Sequence, residues 1–175
     1  MALNTQPLRD VHRELLPHVA HVRQLGDMAG RAPAAELRAR LDAVVEFLRR
    51  QVVPHAQAEE AVLYPAVDRL IGDGATATMA RDHAEVAHMA LELAALRDAA
   101  PDRALDDAEL VALRRLAYGL SAVLTLHFAK EDEIYLPLLE RALSAEEGRS
   151  LFAAMERARA RAPATDSGGG DGPPA

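Results

Sequence analysis

The chain has 175 residues, of which 50% are hydrophobic, and this is enough to bury one substantial core in a single compact domain. It contains no cysteine, which excludes disulfides, zinc fingers and thiol chemistry and leaves histidine and carboxylate side chains as the strong metal ligands. A formal net charge of −7 and 3% aromatic residues argue against a phosphate-binding surface and against base stacking, so nucleic acid is not an expected partner.

The amino terminus has no basic stretch followed by an apolar run. No segment approaches the roughly 18 consecutive apolar residues of a membrane span. We therefore expect a cytoplasmic protein without a membrane partner. The oligomeric state is left open.

Helix-favouring residues dominate the whole chain, and alternating β-branched runs are short. Four long helices are expected at about residues 7–25, 33–70, 76–99 and 107–143. The first is expected to be capped by Thr5 and to end at Gly26 and Gly30. Because short loops between long helices favour antiparallel neighbours, the predicted fold is all-α, an antiparallel up-down four-helix bundle.

Apolar residues recur at helical spacing in three of these segments, as expected for helices that bury one face. The predicted core positions are Leu8, Val11, Leu15, Val22 and Leu25 in the first, Leu37, Leu41, Val44, Val45, Leu48 and Val52 in the second, and Leu110, Leu113, Leu116, Leu120 and Leu124 in the fourth.

An extra C-terminal helix is indicated after the fourth segment. Ser144 can cap it and Glu147 can reach back to the cap, and apolar residues follow. This helix is expected to pack outside the bundle. The Gly-rich and Pro-rich end of the chain has too little apolar surface to offset the entropy of ordering. The predicted organisation is a bundle domain over residues 1–160 and a disordered tail over residues 161–175.

A short pattern occurs twice in the chain. The first copy is HAQAEEAVLYP, which begins at His55, and the second is HFAKEDEIYLP, which begins at His127. A histidine and the glutamate four residues later, Glu59 or Glu131, lie about 40° apart around a helix and about 6 Å apart along it, so both can reach one point. Imidazole and carboxylate are metal ligands, and the duplication indicates a duplicated metal site.

Two further histidines stand at nearly equal distances upstream of the two copies. His12 precedes the first copy and His83 the second, and similar residues flank both. Antiparallel packing would bring one histidine from each of four helices, and one glutamate from each of two, to the bundle centre. Six ligands are too many for one tetrahedral zinc and too few to saturate two octahedral ions. They favour a dinuclear site with carboxylate bridges and open positions.

Several prolines fall inside segments that are otherwise helical, namely Pro17, Pro54, Pro65 and Pro137. Each removes a backbone hydrogen bond and is expected to bend the helix or end it. Pro65 and Pro137 stand at matching places in the two copies of the pattern.

The remaining histidines have other expected roles. His18 is a candidate fifth ligand or a pocket residue, although it lies about 9 Å along the helix from His12 and about 120° around it. His88 is about 140° around its helix from His83 and is expected to face another surface. His21 is expected to be solvated.

Four polar residues near the pattern have two possible roles each. Glu60 and Asp132 follow the proposed ligands and are rotated by about 100°, so they are either solvated or accept a hydrogen bond from an imidazole N–H. Tyr64 and Tyr135 either approach the site or are packed rings with surface hydroxyls.

These residues resemble the hemerythrin-like domains, four-helix bundles named for a His-His-Glu pattern that occurs twice. The resemblance covers roughly residues 8–143 and depends on the two copies quoted above. It implies a non-haem di-iron centre, with two iron ions bridged by oxo or hydroxo groups and carboxylates. The implied ligands are His12, His55, Glu59, His83, His127 and Glu131.

The chain departs from the oxygen-carrying members of that family. They have a second histidine four residues along the third helix, where this chain has Ala87, and a longer spacing to an aspartate on the fourth helix. The departure favours binding, sensing or redox handling of O₂, NO or peroxide over oxygen transport. Two alternatives remain: a di-iron enzyme that decomposes peroxide or reduces oxygen, and a metal-free helical interaction module.

Overall fold

The computed structural model describes residues 5–101 and 103–161, which form five helices and no strand. The all-α expectation is therefore confirmed for the described part of the chain. The helices are α1 (Gln6–Met28), α2 (residues 34–71), α3 (Ala77–Ala99), α4 (residues 107–142) and α5 (Ala145–Arg161).

The helices α2 and α4 are continuous but change their winding. In α2, α-helical segments at Ala34–Phe47, Val53–Ala58 and Tyr64–Ile71 alternate with π-helical turns at Leu48–Val52 and Glu59–Leu63. In α4, one π-helical turn, Glu131–Tyr135, separates Asp107–Lys130 from Leu136–Ala142.

Each π-helical turn is followed, two residues later, by one of the prolines Pro54, Pro65 and Pro137. A proline in an α-helix lacks the N–H and clashes with the carbonyl four residues before it. The i→i+5 bonding of a π-turn widens the helix at this point. The expected helix end is therefore not found at these three prolines, because the helix continues through each of them with a local change of winding.

The first helix does not end at Gly26, so this expectation is wrong. α1 continues to Met28, and a Cβ on Gly26 would come within 2.9 Å of the Tyr118 ring of α4. Gly26 therefore serves close packing between two helices. The chain leaves the helix at Gly30, whose φ of 73° lies in the left-handed region that favours glycine.

Two expected caps have different outcomes. Thr5 precedes α1 but makes no side-chain capping bond, and its hydroxyl donates to Glu140 at the end of α4 instead. Ser144 and Glu147 form the expected reciprocal contacts before α5, with the Ser144 N–H donating to the Glu147 carboxylate over 2.8 Å.

The interior has two apolar clusters. The larger consists mainly of residues of α1, α2, α3 and α4 and includes Phe128. The smaller contains Tyr64, Tyr135 and Met155 of α5. Most of the predicted core positions are buried, and only Val11 and Leu110 are partly buried.

Helix packing places α1 against α4 and α2, and α3 against α4 and α2. α5 lies against the middle of α2, outside these contacts. The predicted tail, residues 161–175, lies outside the described residues apart from Arg161. Among the described helices, none is long and apolar enough to cross a membrane.

Candidate metal centre

The six predicted ligands meet in the interior. His12 comes from α1, His83 from α3, and the two His-x-x-x-Glu pairs from α2 and α4. None of the six residues is more than 7% exposed, and both glutamates are fully buried. Each glutamate is the first residue of a π-helical turn, at Glu59–Leu63 and Glu131–Tyr135.

One group consists of His12, His55, Glu59 and Glu131, whose ligand atoms all lie within 4.8 Å of one another. The Nε2 of His55 lies 2.9 Å from Oε1 of Glu59, as the spacing of four predicts. The Nε2 of His12 lies 3.2 Å from Oε2 of Glu131 and 3.8 Å from Oε1 of Glu59. Two imidazoles and two carboxylates thus surround one point.

A second group consists of Glu59, His83 and His127. The Nε2 atoms of the two histidines are 2.9 Å apart, and Nε2 of His83 lies 3.3 Å from Oε2 of Glu59. Glu131 also approaches this group, because its Oε1 lies 3.5 Å from Nε2 of His127. Glu59 belongs to both groups, and Glu131 lies next to both.

Five buried atoms of this centre have no hydrogen-bond partner among the described residues. They are Nε2 of His12 and His55, both carboxylate oxygens of Glu59, and Oε2 of Glu131. Burying an unpartnered polar group is costly, and burying an unpartnered charge is more costly still. Imidazole nitrogens and carboxylate oxygens are ligands for iron, manganese and zinc, so a bound cation would satisfy these atoms together.

Both carboxylates of the centre have a pKa below the usual range of glutamate. Burial raises the pKa of Glu59, but the charge of His55 and contacts with neighbouring imidazoles outweigh it and hold the pKa well below its usual range. Burial lowers the pKa of His12, but the nearby carboxylates of Glu131 and Glu59 reverse this and raise it to about 10. A proton on His12 therefore offsets part of the negative charge.

Three of the four histidines contact a second carboxylate through Nδ1. This atom lies 2.8 Å from Asp132 in His12, 2.9 Å from Glu60 in His83 and 3.2 Å from Asp82 in His127. An Nδ1–H that donates to a carboxylate fixes the tautomer and leaves Nε2 free to bind a metal. Glu60 and Asp132 meet both expectations, because each is partly solvated and each also contacts an imidazole.

Two of these outer carboxylates also pair with a cation. Lys130 donates to Asp82, and Arg9 lies 3.9 Å from the carboxylate of Asp132. The pairs hold the carboxylates in place. Burial raises the pKa of Asp82, but Lys130 and His127 outweigh it and lower the pKa. Asp82 was missed from the sequence, where its only signal is its position next to His83.

Tyr64 reaches the centre directly. Its hydroxyl donates to Oε1 of Glu131 over 3.0 Å and lies 3.2 Å and 3.3 Å from Nε2 of His83 and His127. Burial and the charges of the glutamates raise its pKa, so the hydroxyl keeps its proton. Tyr135, by contrast, donates to the carbonyl of Ala75. The sequence left both roles open, and only Tyr64 approaches the site.

Aromatic rings cover the centre from the two apolar clusters. Phe128 stacks on His12 with a centroid distance of 4.7 Å, and Tyr64 stacks on His83 at 5.3 Å. These rings limit the water that reaches the ligand atoms and fix the imidazole planes.

The other histidines lie outside both groups. His18 is exposed and stacks on Phe47 at 5.1 Å, so the structure does not place it with the six residues. His21 is half-buried and contacts His18. His88 lies 2.9 Å from Glu92 on the surface of α3, as expected for a residue on another face.

Comparison with known families identifies one match. The family model of the hemerythrin HHE cation binding domain matches residues 4–139, a range that includes all six residues of the centre. No curated protein and no solved structure is significantly similar to the chain.

Proposed function

Because the chain belongs to the hemerythrin HHE cation binding domain family, we propose that it binds two iron ions and uses them to bind, sense or redox-handle a small oxidant such as O₂, NO or peroxide. The proposed ligands are the six buried residues of the two groups. Glu59 and Glu131 are proposed as the bridging carboxylates.

The observation that carries this proposal is the set of unpartnered atoms at the centre. A structural core would satisfy such atoms with well-formed hydrogen bonds or replace them by apolar groups. Here the ligand atoms of two fully buried carboxylates and two imidazoles converge within 4.8 Å, at ion-pair distances but without well-formed hydrogen bonds to the described residues at five of the atoms. This convergence favours a bound cation over the metal-free interaction module.

Two bound irons would supply exchangeable coordination positions and one-electron redox changes. The residues of the chain set the conditions for that chemistry. Asp132, Glu60 and Asp82 orient three imidazoles through Nδ1. Tyr64 holds a proton at its hydroxyl within the centre, available for a hydrogen bond to a bound oxidant.

The protonated Tyr64 hydroxyl is also the observation that favours the second candidate, an enzyme that decomposes peroxide or reduces oxygen. Reducing oxygen consumes protons and decomposing peroxide moves them between oxygens, and a buried O–H beside the ligand atoms can orient either molecule by donating a hydrogen bond. Turnover with hydrogen peroxide separates the two: a binding or sensing protein gives none beyond that of free iron.

We also propose that the helices form an antiparallel up-down bundle and that the protein is located in the cytoplasm. Contacts between the ends of two helices support the antiparallel order. Thr5 at the start of α1 donates to Glu140 near the end of α4, and Arg114 near the start of α4 donates to the carbonyl of Ala29 after α1. The two helices therefore run in opposite directions.

The proposal is tested by elemental analysis and an electronic spectrum of protein purified from iron-fed cells. Two irons per chain and a near-ultraviolet charge-transfer band are expected. Protein that is folded by circular dichroism but contains no more metal than a helical control protein would contradict it.

A further inference from the structure

Of the six buried residues, His83 is the most exposed to solvent. His83 is 7% exposed, whereas the exposed fraction of the other five lies between 0% and 4%. Its imidazole also forms part of the wall of a surface groove between α2 and α3. Of the six residues, His83 is therefore the one that solvent reaches most, and it does so beside this groove.

The groove exists because small side chains line it. Its volume is about 290 Å³, and four alanines contribute to its wall, namely Ala56, Ala80, Ala84 and Ala87. One water occupies about 30 Å³ of liquid, so a diatomic molecule or a peroxide fits easily. Glu60, whose side chain is 47% exposed, provides a polar edge and lies 2.9 Å from Nδ1 of His83.

Carboxylate oxygens without a hydrogen-bond partner among the described residues lie next to His83 in the interior. Its Nε2 lies 3.3 Å from Oε2 of Glu59, a fully buried carboxylate whose two oxygens make no hydrogen bond with the described residues. The imidazole of His83 therefore lies between the groove and the shared carboxylate of both ligand groups.

We propose that this groove, the α2–α3 groove, is the entrance through which a small oxidant reaches the centre, with the His83–Glu60 pair at its inner end. The inference rests on the proposed function. The alanines determine the size of molecule that enters, and the pair lines the last step to the ligand atoms.

The first test is a plugged groove. Ala84→Phe places a ring in the groove without changing any of the six residues. Azide binding to the iron-loaded protein, followed by stopped-flow absorbance, is expected to slow by about tenfold or more because the ring must move before the anion enters. The iron content and the equilibrium dissociation constant are expected to stay unchanged. Ala95→Phe is the matched control, since Ala95 is exposed on the same helix but lies outside the groove.

A second test needs no metal. In metal-free protein labelled at histidine, dissolved O₂ as a paramagnetic probe is expected to relax the ring protons of His83 more than those of His12 or His55. Ala84→Phe should remove this difference, and Ala95→Phe should preserve it. Equal relaxation of all three histidines, or azide binding at the original rate in a plugged protein of full iron content, would overturn the entrance. If the unmodified protein did not bind iron at all, the proposed function would instead be overturned.

Discussion

At the scale of residues, the two copies of the pattern are equal at the ligands and differ next to them. Glu59 and Glu131 occupy matching places, but the residue before the proline is Tyr64 in one copy and Leu136 in the other. Only the tyrosine brings a hydroxyl to the centre. The duplication therefore gives a nearly symmetric set of candidate ligands with one hydrogen-bond donor that has no counterpart in the second copy.

The duplicated histidines are expected to be required for metal. His55→Ala and His127→Ala should each lower the iron content, because each removes a buried imidazole from one ligand group. His21→Ala should not, since His21 lies outside both groups. Elemental analysis of the three purified variants is the measurement, and equal loading of all three would refute the site.

The outer carboxylate on His127 should affect metal affinity without binding metal itself. Asp82→Asn removes the charge of the carboxylate that accepts a hydrogen bond from Nδ1 of His127. We expect this change to weaken metal binding by roughly 10–100-fold. Competition with a chromophoric chelator measures this affinity. Asp98→Asn is the control, because Asp98 is an exposed carboxylate on the same helix that pairs only with Arg97 among its described contacts. Equal affinities in the two variants would exclude a positioning role.

Metal binding near neutral pH should release protons. The nearby carboxylates raise the pKa of His12 to about 10, so the imidazole is protonated at pH 7 and must lose its proton to bind a metal. Since the folded pKa is raised, this competition weakens as pH rises towards 10, and affinity should increase over that interval. A pH indicator in weakly buffered solution reports the release; His12→Gln should release fewer protons and His18→Gln the same number as the unmodified chain.

At the scale of elements, the π-helical turns explain how prolines occur beside ligands. The N–H groups of Tyr64 and Leu136 donate to the carbonyls of Glu59 and Glu131, five residues earlier, just before each proline. A π-turn also rotates the residues that follow it relative to a regular helix. The ligand glutamates therefore stand where the helix changes winding, a common feature of functional sites.

The amino end of α4 offers a test of local helix stability. Asp106 and Glu109 form a capping box, in which each side chain accepts from the backbone N–H of the other residue. Asp106→Ala is expected to lower the free energy of unfolding by about 1 kcal/mol, whereas Asp106→Asn retains an N-cap acceptor and should cost much less. Urea unfolding followed by circular dichroism measures both; equal losses would show that the cap contributes little.

At the scale of the whole molecule, the centre links the four helices that supply its ligands. A metal bound only by the folded protein stabilises it by about 2.7 kcal/mol at a hundredfold excess over the dissociation constant, a shift of roughly 5–10 °C in Tm. A strong chelator should therefore lower the Tm of the loaded protein. His127→Ala is the control, since a chain that loads little metal should melt at the same temperature with and without chelator. An unchanged Tm in the unmodified chain would favour the metal-free module.

The helices, most of the core positions and the six candidate ligands could all be predicted from the amino-acid sequence. These follow from local rules: apolar spacing selects the buried face of each helix, and a spacing of four places a histidine and a glutamate on one side. The family resemblance rests on the same short patterns, and the matching family model confirms it.

The tertiary structure alone decided which groups from different helices meet. Glu60 and Asp132 lie off the ligand face of their own helices, yet contact histidines of α3 and α1. Tyr64 enters the centre and Tyr135 does not, and Gly26 packs against a ring where a helix end was expected. Periodicity describes one helix at a time, whereas these contacts depend on how neighbouring helices are placed and on the π-turns that change the direction of side chains beyond them.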